Sequence, residues 1–193
     1  MNQLKNVILS EEKNSGRNLQ IVAFVFFVFI SINALAIVFN DKDVASFYML
    51  LPFYVVIVLM YVIGRFQKKK YQRLGPTPLT LMPSTCLLGR PTNGSILIKR
   101  ENFNKVKQLS LSCWKLSSNS GNSRQDIIWS TNIETAVEFT HMATTLNFEF
   151  VIPEGKKATT RSFFSGNKYH WEIAFEFVES MQSIKRTWRI PVS

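Results

Sequence analysis

The sequence is poor in the residues that build metal sites, disulfide frameworks and catalytic centres. Its 193 residues include two cysteines and two histidines. Cys86 and Cys113 are too few for a disulfide framework or a four-ligand zinc site. His141 and His170 stand in no metal-binding motif, and the eight glycines form no phosphate-binding loop. A cysteine–histidine nucleophile pair stays open, although no local motif supports it. We therefore expect a protein that is not an enzyme, with no cofactor and no metal.

Charge is absent from two long stretches, Gln20–Phe39 and Val44–Gly64. Twenty helical residues rise about 30 Å, the thickness of the hydrocarbon core of a bilayer. Neither stretch has a polar face at helical spacing, and two such stretches so close together are not typical of a soluble core. The four residues Asn40–Asp43 between them predict a tight antiparallel hairpin. Ala34-Leu35-Ala36 resembles a signal-peptidase site, but the apolar stretch continues beyond it, which favours an uncleaved anchor.

The net charge of +10 is concentrated beside the second apolar stretch. Arg65, Arg73 and the three lysines between them come without an acidic residue, whereas the hairpin loop is slightly acidic. Basic residues next to a membrane span favour the cytoplasmic side. The sequence thus predicts a cytoplasmic tail (1–19), a transmembrane hairpin (20–64) and a basic juxtamembrane linker (65–74), with both termini cytoplasmic. Because topology explains half of the positive charge, we do not expect nucleic-acid binding.

Small and polar residues in the first span are candidates for a helix–helix contact. Asn33 is the only strongly polar side chain in either span, and an amide in hydrocarbon requires a partner. Ser31 and Ala34 lie near it on one helical face and allow close approach. The partner is either the second helix or another subunit.

From residue 75 to 193 the apolar period changes from helical to two. Leu146–Ile152 and His170–Phe177 alternate most regularly, and both predict half-buried antiparallel strands. Further strand candidates are Leu79–Met82, Ser95–Lys99, Lys107–Leu116, Asp126–Ser130, Ile133–Phe139 and Thr187–Val192. Turn signals separate them, including Pro91–Gly94, Ser117–Ser123 and Pro153–Gly155. The pattern predicts an all-β soluble domain, an antiparallel immunoglobulin-like β-sandwich, although Thr135–Thr144 is also compatible with a short helix.

The strand candidate at residues 170–177 separates an apolar from an acidic face. Trp171, Ile173, Phe175 and Phe177 point one way, and Glu172 and Glu176 the other. The two carboxylates are about 13 Å apart along a strand, too far for most acid–base pairs. We therefore interpret them as a solvated sheet face.

The segment Lys156–Lys168 combines cations with adjacent aromatic residues. It carries Lys156, Lys157, Arg161 and Lys168, no acidic residue, and the pair Phe163-Phe164. This composition suits contact with anionic lipid head groups or with an acidic partner. The alternative is that one phenylalanine caps the sandwich and the lysines keep the loop soluble.

The end of the sequence resembles a known class of sandwich. Tyr169–Ile173 and Trp188–Val192, preceded by the strand-then-proline element Phe148–Pro153, are similar to the last strands of arrestin-like immunoglobulin sandwiches. Poorly characterised bacterial inner-membrane proteins place such a domain beside a transmembrane hairpin. The resemblance covers a minority of the chain and its motifs are structural. It implies a β-sandwich with a binding role, and it transfers no catalytic or ligand residue.

Together these patterns predict a non-enzymatic, membrane-anchored protein-interaction module of the bacterial cytoplasmic membrane. It would be an accessory, assembly or immunity-type subunit whose partners are the lipid bilayer and another membrane protein or a second copy. The alternatives are a small membrane-bound enzyme or regulatory subunit completed by a partner chain, and a sensor that binds a small ligand in the sandwich.

Overall fold

The chain forms two compact units. The computed structural model describes residues 7–39, 48–119, 122–160, 167–179 and 181–193. One unit, Glu12–Arg73, is helical, and the other combines residues 7–11 with Leu74–Ser193 and is built of β-strands. The chain therefore leaves the β unit after Glu11 and rejoins it at Leu74.

The two helices are α1 (Glu12–Phe39) and α2 (Leu51–Leu74), and all of their residues except Leu74 belong to the helical unit. At 1.5 Å per residue they are about 42 and 36 Å long. Both are long and apolar enough to cross a membrane. Pro52 lies in the first turn of α2, where a backbone N–H needs no helical partner. The stretch assigned to a basic linker, residues 65–74, forms the last turns of α2 instead, because lysine, arginine and glutamine are good helix formers.

Small residues bring the two helices together. Gly16, Ala23 and Ile30 recur every seven residues of α1 and are buried, and Ala23 and Ile30 form a cluster with Ile57 of α2. A Cβ atom on Gly16 would lie 2.6 Å from the backbone oxygen of Gly64, so only glycine fits there. A seven-residue repeat of small and apolar positions is typical of helices packed along a seam. Because Gly16 meets Gly64 and the later Ile30 meets the earlier Ile57, the two helices run antiparallel.

Most of the helical surface is apolar and uncovered. In the most apolar stretch of each helix, only 17% of the residues of α1 and 11% of those of α2 are buried. Phe24 and Phe29 of α1, for example, expose about two thirds of their surface. A soluble core helix buries such side chains, whereas the described residues leave these side chains uncovered.

The β unit contains nine described strands arranged in two sheets. They are β1 (Val7–Ile8), β2 (Leu79–Met82), β3 (Pro91–Ile98), β4 (Gln108–Asn119), β5 (Asn122–Glu134), β6 (Ala136–Phe139), β7 (Thr144–Val151), β8 (Asn167–Glu179) and β9 (Gln182–Ile190). The first sheet has the order β1-β2-β3-β7-β6 and the second β5-β4-β8-β9, and every described pairing between these strands is antiparallel. Side chains from both sheets share one apolar core. The antiparallel β-sandwich is thereby confirmed.

The core follows the alternation read from the sequence. Trp171, Ile173, Phe175 and Phe177 of β8 are all buried, as predicted. Trp171 and Trp188 are fully buried, and each indole N–H reaches a backbone oxygen, at Lys157 (2.8 Å) and Thr77 (2.9 Å) respectively. Buried tryptophans need such an acceptor, so these two bonds fix the segments that carry Thr77 and Lys157 against the core.

One local expectation was wrong, and one alternative that the sequence left open is decided by the structure. Pro91–Gly94, read as a turn, begins β3, where Gly94 lies under the ring of Phe148 in the neighbouring strand. Residues 135–144 are not helical: β6 pairs with β7, and Thr140 and Ala143 close the turn that follows. Pairing of β3 with the distant strand β7 decided the first case, and such pairing has no signal in a short window of sequence. The local hairpin of β6 and β7 decided the second.

Residues 7–11, before α1, belong to the sandwich, although we assigned 1–19 to a tail. Val7 and Ile8 pair with Leu79 and Thr80 of β2. Three residues later, the Glu11 N–H donates to the Thr187 oxygen of β9 at 2.9 Å. Residues 7–11 therefore contact one strand of each sheet and cover the side of the sandwich where β2 and β9 lie.

The burial pattern of β8 yields a stability prediction. Replacing Phe175 by alanine removes a ring that packs against Phe177 and Trp188 in the core. We expect the β unit to lose about 3–5 kcal/mol of unfolding free energy, the usual cost of a buried phenylalanine. Glu176→Ala is the matched control because Glu176 is exposed on the other face of the same strand. Chemical denaturation of the two full-length variants measures the difference, and equal midpoints would contradict the assigned core face.

Candidate interaction surfaces

The first half of the basic loop is fixed to the sandwich by backbone hydrogen bonds. Thr159 N–H donates to the Val192 oxygen, and Thr160 N–H donates to the Tyr169 oxygen, both at 2.9 Å. Each threonine hydroxyl returns a bond by accepting from Val192 N–H or Tyr169 N–H at 3.0 Å. The end of the segment Lys156–Thr160 is therefore hydrogen-bonded both to Val192 and to Tyr169 of β8.

Lys156 and Lys157 lie beside a pair of tryptophan rings. The Lys156 Nζ is 5.8 Å from the centre of the Trp129 ring, which in turn is 5.5 Å from the Trp171 ring. A cation over an aromatic face gains a modest electrostatic attraction. The Lys157 backbone oxygen accepts from Trp171, while the Lys157 side chain is exposed. Lys156 and Lys157 thus lie next to the contact between Trp129 of β5 and Trp171 of β8.

The remaining residues of this candidate surface are placed only in part. Lys168 lies on β8, opposite Leu116 of β4, and is half-buried. Arg161, Phe163 and Phe164 lie outside the described residues. Whether the two phenylalanines contact lipid or cap the sandwich stays a prediction.

The three candidate helix–helix residues have different surroundings. Ser31 lies against α2, where its hydroxyl is 3.3 Å from the Tyr54 hydroxyl. Ala34 is buried in the helical unit. Asn33 is exposed, and its amide donates to the Phe29 oxygen of its own helix at 2.7 Å. The structure thus brings Ser31 to the second helix and leaves Asn33 on the outer surface of the hairpin.

Asn33 lines an open groove of about 450 Å³ on the hairpin. Phe29 and Ala36 of α1 and Phe53 of α2 also line this groove, and its walls are mainly apolar. A groove of this composition accommodates a lipid chain or a third helix, and Asn33 supplies its one strongly polar lining group among the described residues.

An ion-pair network that the sequence analysis did not find ties the N-terminal segment to the second sheet. The Arg189 Nε lies 2.7 Å from Glu11 Oε1 and 3.6 Å from Glu172 Oε1. The same Glu172 oxygen is 3.0 Å from His170 Nε2, and the His170 ring stacks on Trp114. Glu172 retains only 9% of its surface exposed, so its interpretation as a solvated residue was wrong. Arg189 of β9, which is distant in sequence, is a cationic partner that offsets the cost of burying Glu172.

A second ion-pair cluster lies at the turn between β8 and β9. Glu179 accepts hydrogen bonds from Lys105 Nζ (2.9 Å) and Arg100 Nη1 (3.0 Å). These bonds, first of all the one from Lys105, lower the pKa of Glu179, and partial burial only opposes them. The cluster connects the loop after β3 to this turn, and we interpret it as structural.

The two cysteines are poor nucleophiles. Both are free and buried, and burial raises the pKa of each thiol to about 11. At neutral pH they are therefore protonated thiols. Among the described residues no group of three or more His, Cys, Asp or Glu side chains is placed to hold a metal ion.

Comparison with known proteins gives a distant likeness of fold. No protein-family model matches the sequence, and no curated protein matches it significantly. Among solved structures, the chain is similar to the sporulation control protein Spo0M from Bacillus subtilis, with a TM-score of 0.40 and 12% sequence identity. The match covers 61% of this chain and 48% of that chain, so it spans about half the length of Spo0M. A likeness this distant carries no conclusion about activity, and the fold described above rests on the strand pairing and core of the chain itself.

Proposed function

We propose that this chain is a non-enzymatic, membrane-anchored protein-interaction module. Its hairpin crosses the cytoplasmic membrane of a bacterium, and its β-sandwich binds another protein at the inner face of that membrane. The observation that carries the proposal is the apolar surface of α1 and α2, which is left largely uncovered while the β unit has an ordinary buried core. Lipid is the environment that covers such a surface at no cost in hydration.

The connection of the two units supports a topology with both termini on one side. Residues 7–11 and Leu74 belong to the same β unit, so the hairpin begins and ends there. The cations of Arg65–Arg73 lie at the end of α2, after which the chain enters the β unit. Under the positive-inside rule, this end is cytoplasmic. The bacterial assignment is supported by the resemblance of the last strands to the sandwiches of bacterial inner-membrane proteins.

This topology is tested by reporter fusions to the full chain. A fluorescent protein fused after Ser193 should fold and fluoresce, as cytoplasmic fusions do, and alkaline phosphatase at the same place should be inactive. Alkaline phosphatase inserted at Asp41, in the hairpin loop, should be active on the outer side of the membrane. Phosphatase activity from the fusion after Ser193 would contradict the assignment.

The cationic surface of the sandwich supports the binding role. Lys156 and Lys157 precede Thr159 and Thr160, whose four hydrogen bonds hold the backbone of this segment before a partner arrives. A preorganised segment loses less conformational entropy on binding. Residues 75–193 carry 14 basic and 9 acidic residues, which favours an acidic partner or anionic lipid.

Affinity purification of the full-length protein in mild detergent tests the interaction. We expect a stoichiometric partner protein that is lost from the variant Lys156→Glu/Lys157→Glu, because reversing two cations replaces attraction by repulsion. Lys185→Glu is the matched control: it is an exposed lysine on β9, the opposite edge of the same sheet from β5. Melting temperatures of all three proteins establish that folding is unchanged.

One result would narrow the proposal, and another would overturn it. Equal recovery of the partner with both charge variants would remove Lys156 and Lys157 from the interface. Catalytic turnover by the purified chain without any partner would favour the alternative, a small membrane-bound enzyme.

A further inference from the structure

Strand β5 has an open edge. It is one of the two longest strands of the β unit, with 13 residues, and among the described residues it pairs only with β4. Side chains from Arg124 to Asn132 are exposed or half-buried, and Ile127 and Ile128 expose 54% and 42% of their surface. An edge strand offers unpaired backbone donors and acceptors, so a long open one is a template for a further strand.

The other described sheet edges are short or covered. β1 has two residues and β6 has four. β9 receives a backbone hydrogen bond from Glu11 at Thr187, and residues 7–11 lie along that side. Folded proteins protect their edges in these ways against unwanted pairing. No described residue covers β5 in this way, and β5 differs in this respect from the other described edges.

The middle of β5 also lacks the charges that usually block pairing. Arg124 and Asp126 form an ion pair of 2.8 Å near its start, and Glu134 ends it. Between them, the seven residues Ile127–Ile133 carry no charge and no proline. A bulge at Ile128, where the register with β4 shifts, separates the start of the strand from the regular part, Trp129–Glu134.

The register with β4 identifies the backbone groups that face outward. Thr135 N–H donates to the Lys107 oxygen of the segment before β4. Because alternate residues of a strand direct their backbone groups to opposite sides, Ile133 and Thr131 also face β4. Ser130 and Asn132 therefore present their N–H and C=O groups to the open side, in the bulge-free part of the strand.

Cations flank this regular part on both faces of the sheet. Lys156 lies over Trp129 on the inner side, as described above. On the outer side, Lys107 lines an open cavity together with Asn132. Lys105 also lines this cavity, but its charge is paired with Glu179. The excess of basic over acidic residues in the β unit disfavours a second copy as the occupant, because two such units repel each other.

We propose that the β5 edge binds an extended acidic segment of a partner protein as an additional strand. Backbone bonds to Ser130 and Asn132 supply affinity, and acidic side chains of the partner meet Lys107 and Lys156. The inference rests on the proposed role of the β unit as an interaction module and names the chemistry of its partner. β5 and β9 are the opposite edges of their sheet, so the site lies at the edge away from residues 7–11.

Hydrogen exchange of the full-length protein in detergent tests this site with a defined probe. The probe is a blocked eight-residue peptide of alternating glutamate and valine, and its lysine–valine counterpart serves as the charge control. The glutamate peptide should slow amide exchange in β5 within residues 129–134, and high salt should weaken its binding. The lysine peptide should give no protection.

Proline at position 132 separates backbone pairing from general attraction. Asn132→Pro removes an outward N–H and keeps the bonds to β4, a substitution that edge strands tolerate. It should weaken glutamate-peptide binding about tenfold, the effect expected from losing one or two backbone hydrogen bonds. Asn132→Ala, which keeps the N–H, should bind like the unchanged protein. Ser130→Pro is the second variant, used if exchange of the β4 and β8 amides shows that Asn132→Pro unfolds.

The proposal is overturned if the glutamate peptide leaves β5 unprotected, or if both proline variants bind it normally. Equal protection by the lysine peptide would exclude the acidic partner. Protection of β5 that grows with protein concentration alone would identify a second copy as the occupant. None of these results bears on the reporter fusions, so failure here is distinguishable from failure of the membrane assignment.

Discussion

The attachment of residues 7–11 to the sandwich is the constraint on which the rest of the structure depends. These residues pair with β2, donate a backbone hydrogen bond to Thr187 of β9 and place Glu11 beside Arg189. Because Leu74 is buried in the same β unit, both ends of the hairpin are fixed to one folded body. In the proposed topology, both ends of the hairpin therefore lie on the same side of the membrane.

The hairpin itself is held by close backbone approach more than by interlocking side chains. Gly16 and Gly64 let the helices meet, and Ala23 continues the contact at the same spacing. The larger apolar residues are thereby turned outward, which is the reverse of a soluble helical pair. In lipid, where no hydrophobic force acts between helices, contacts of small residues are a common means of association. The packing through small residues and the exposed apolar surface therefore both support the proposed lipid environment.

The sequence predicted those features that repeat with a fixed period. Two uncharged runs gave the helices, and alternation along residues 170–177 gave the core face of β8. Contacts between distant residues had no such signal. The two-residue strand at Val7 has no period of its own, and burial of Glu172 depends on Arg189, so neither was predicted. The composition of the segment Lys156–Lys168 pointed to Lys156 and Lys157 as candidate contact residues. The open edge of β5, in contrast, can be recognised only from the order of the strands in the sheet.

The central claim is that lipid covers the outward side chains of α1 and α2. A carbene precursor placed in the acyl chains of vesicles that contain the full-length protein tests this claim directly, with mass spectrometry to locate the labelled residues. The account predicts labelling at outward residues such as Phe24, Phe29 and Leu59, little labelling at Ala23 in the helix seam, and none in the core of the β unit. Absence of label from both helices, together with release of the protein from the vesicles by alkaline carbonate, would contradict it.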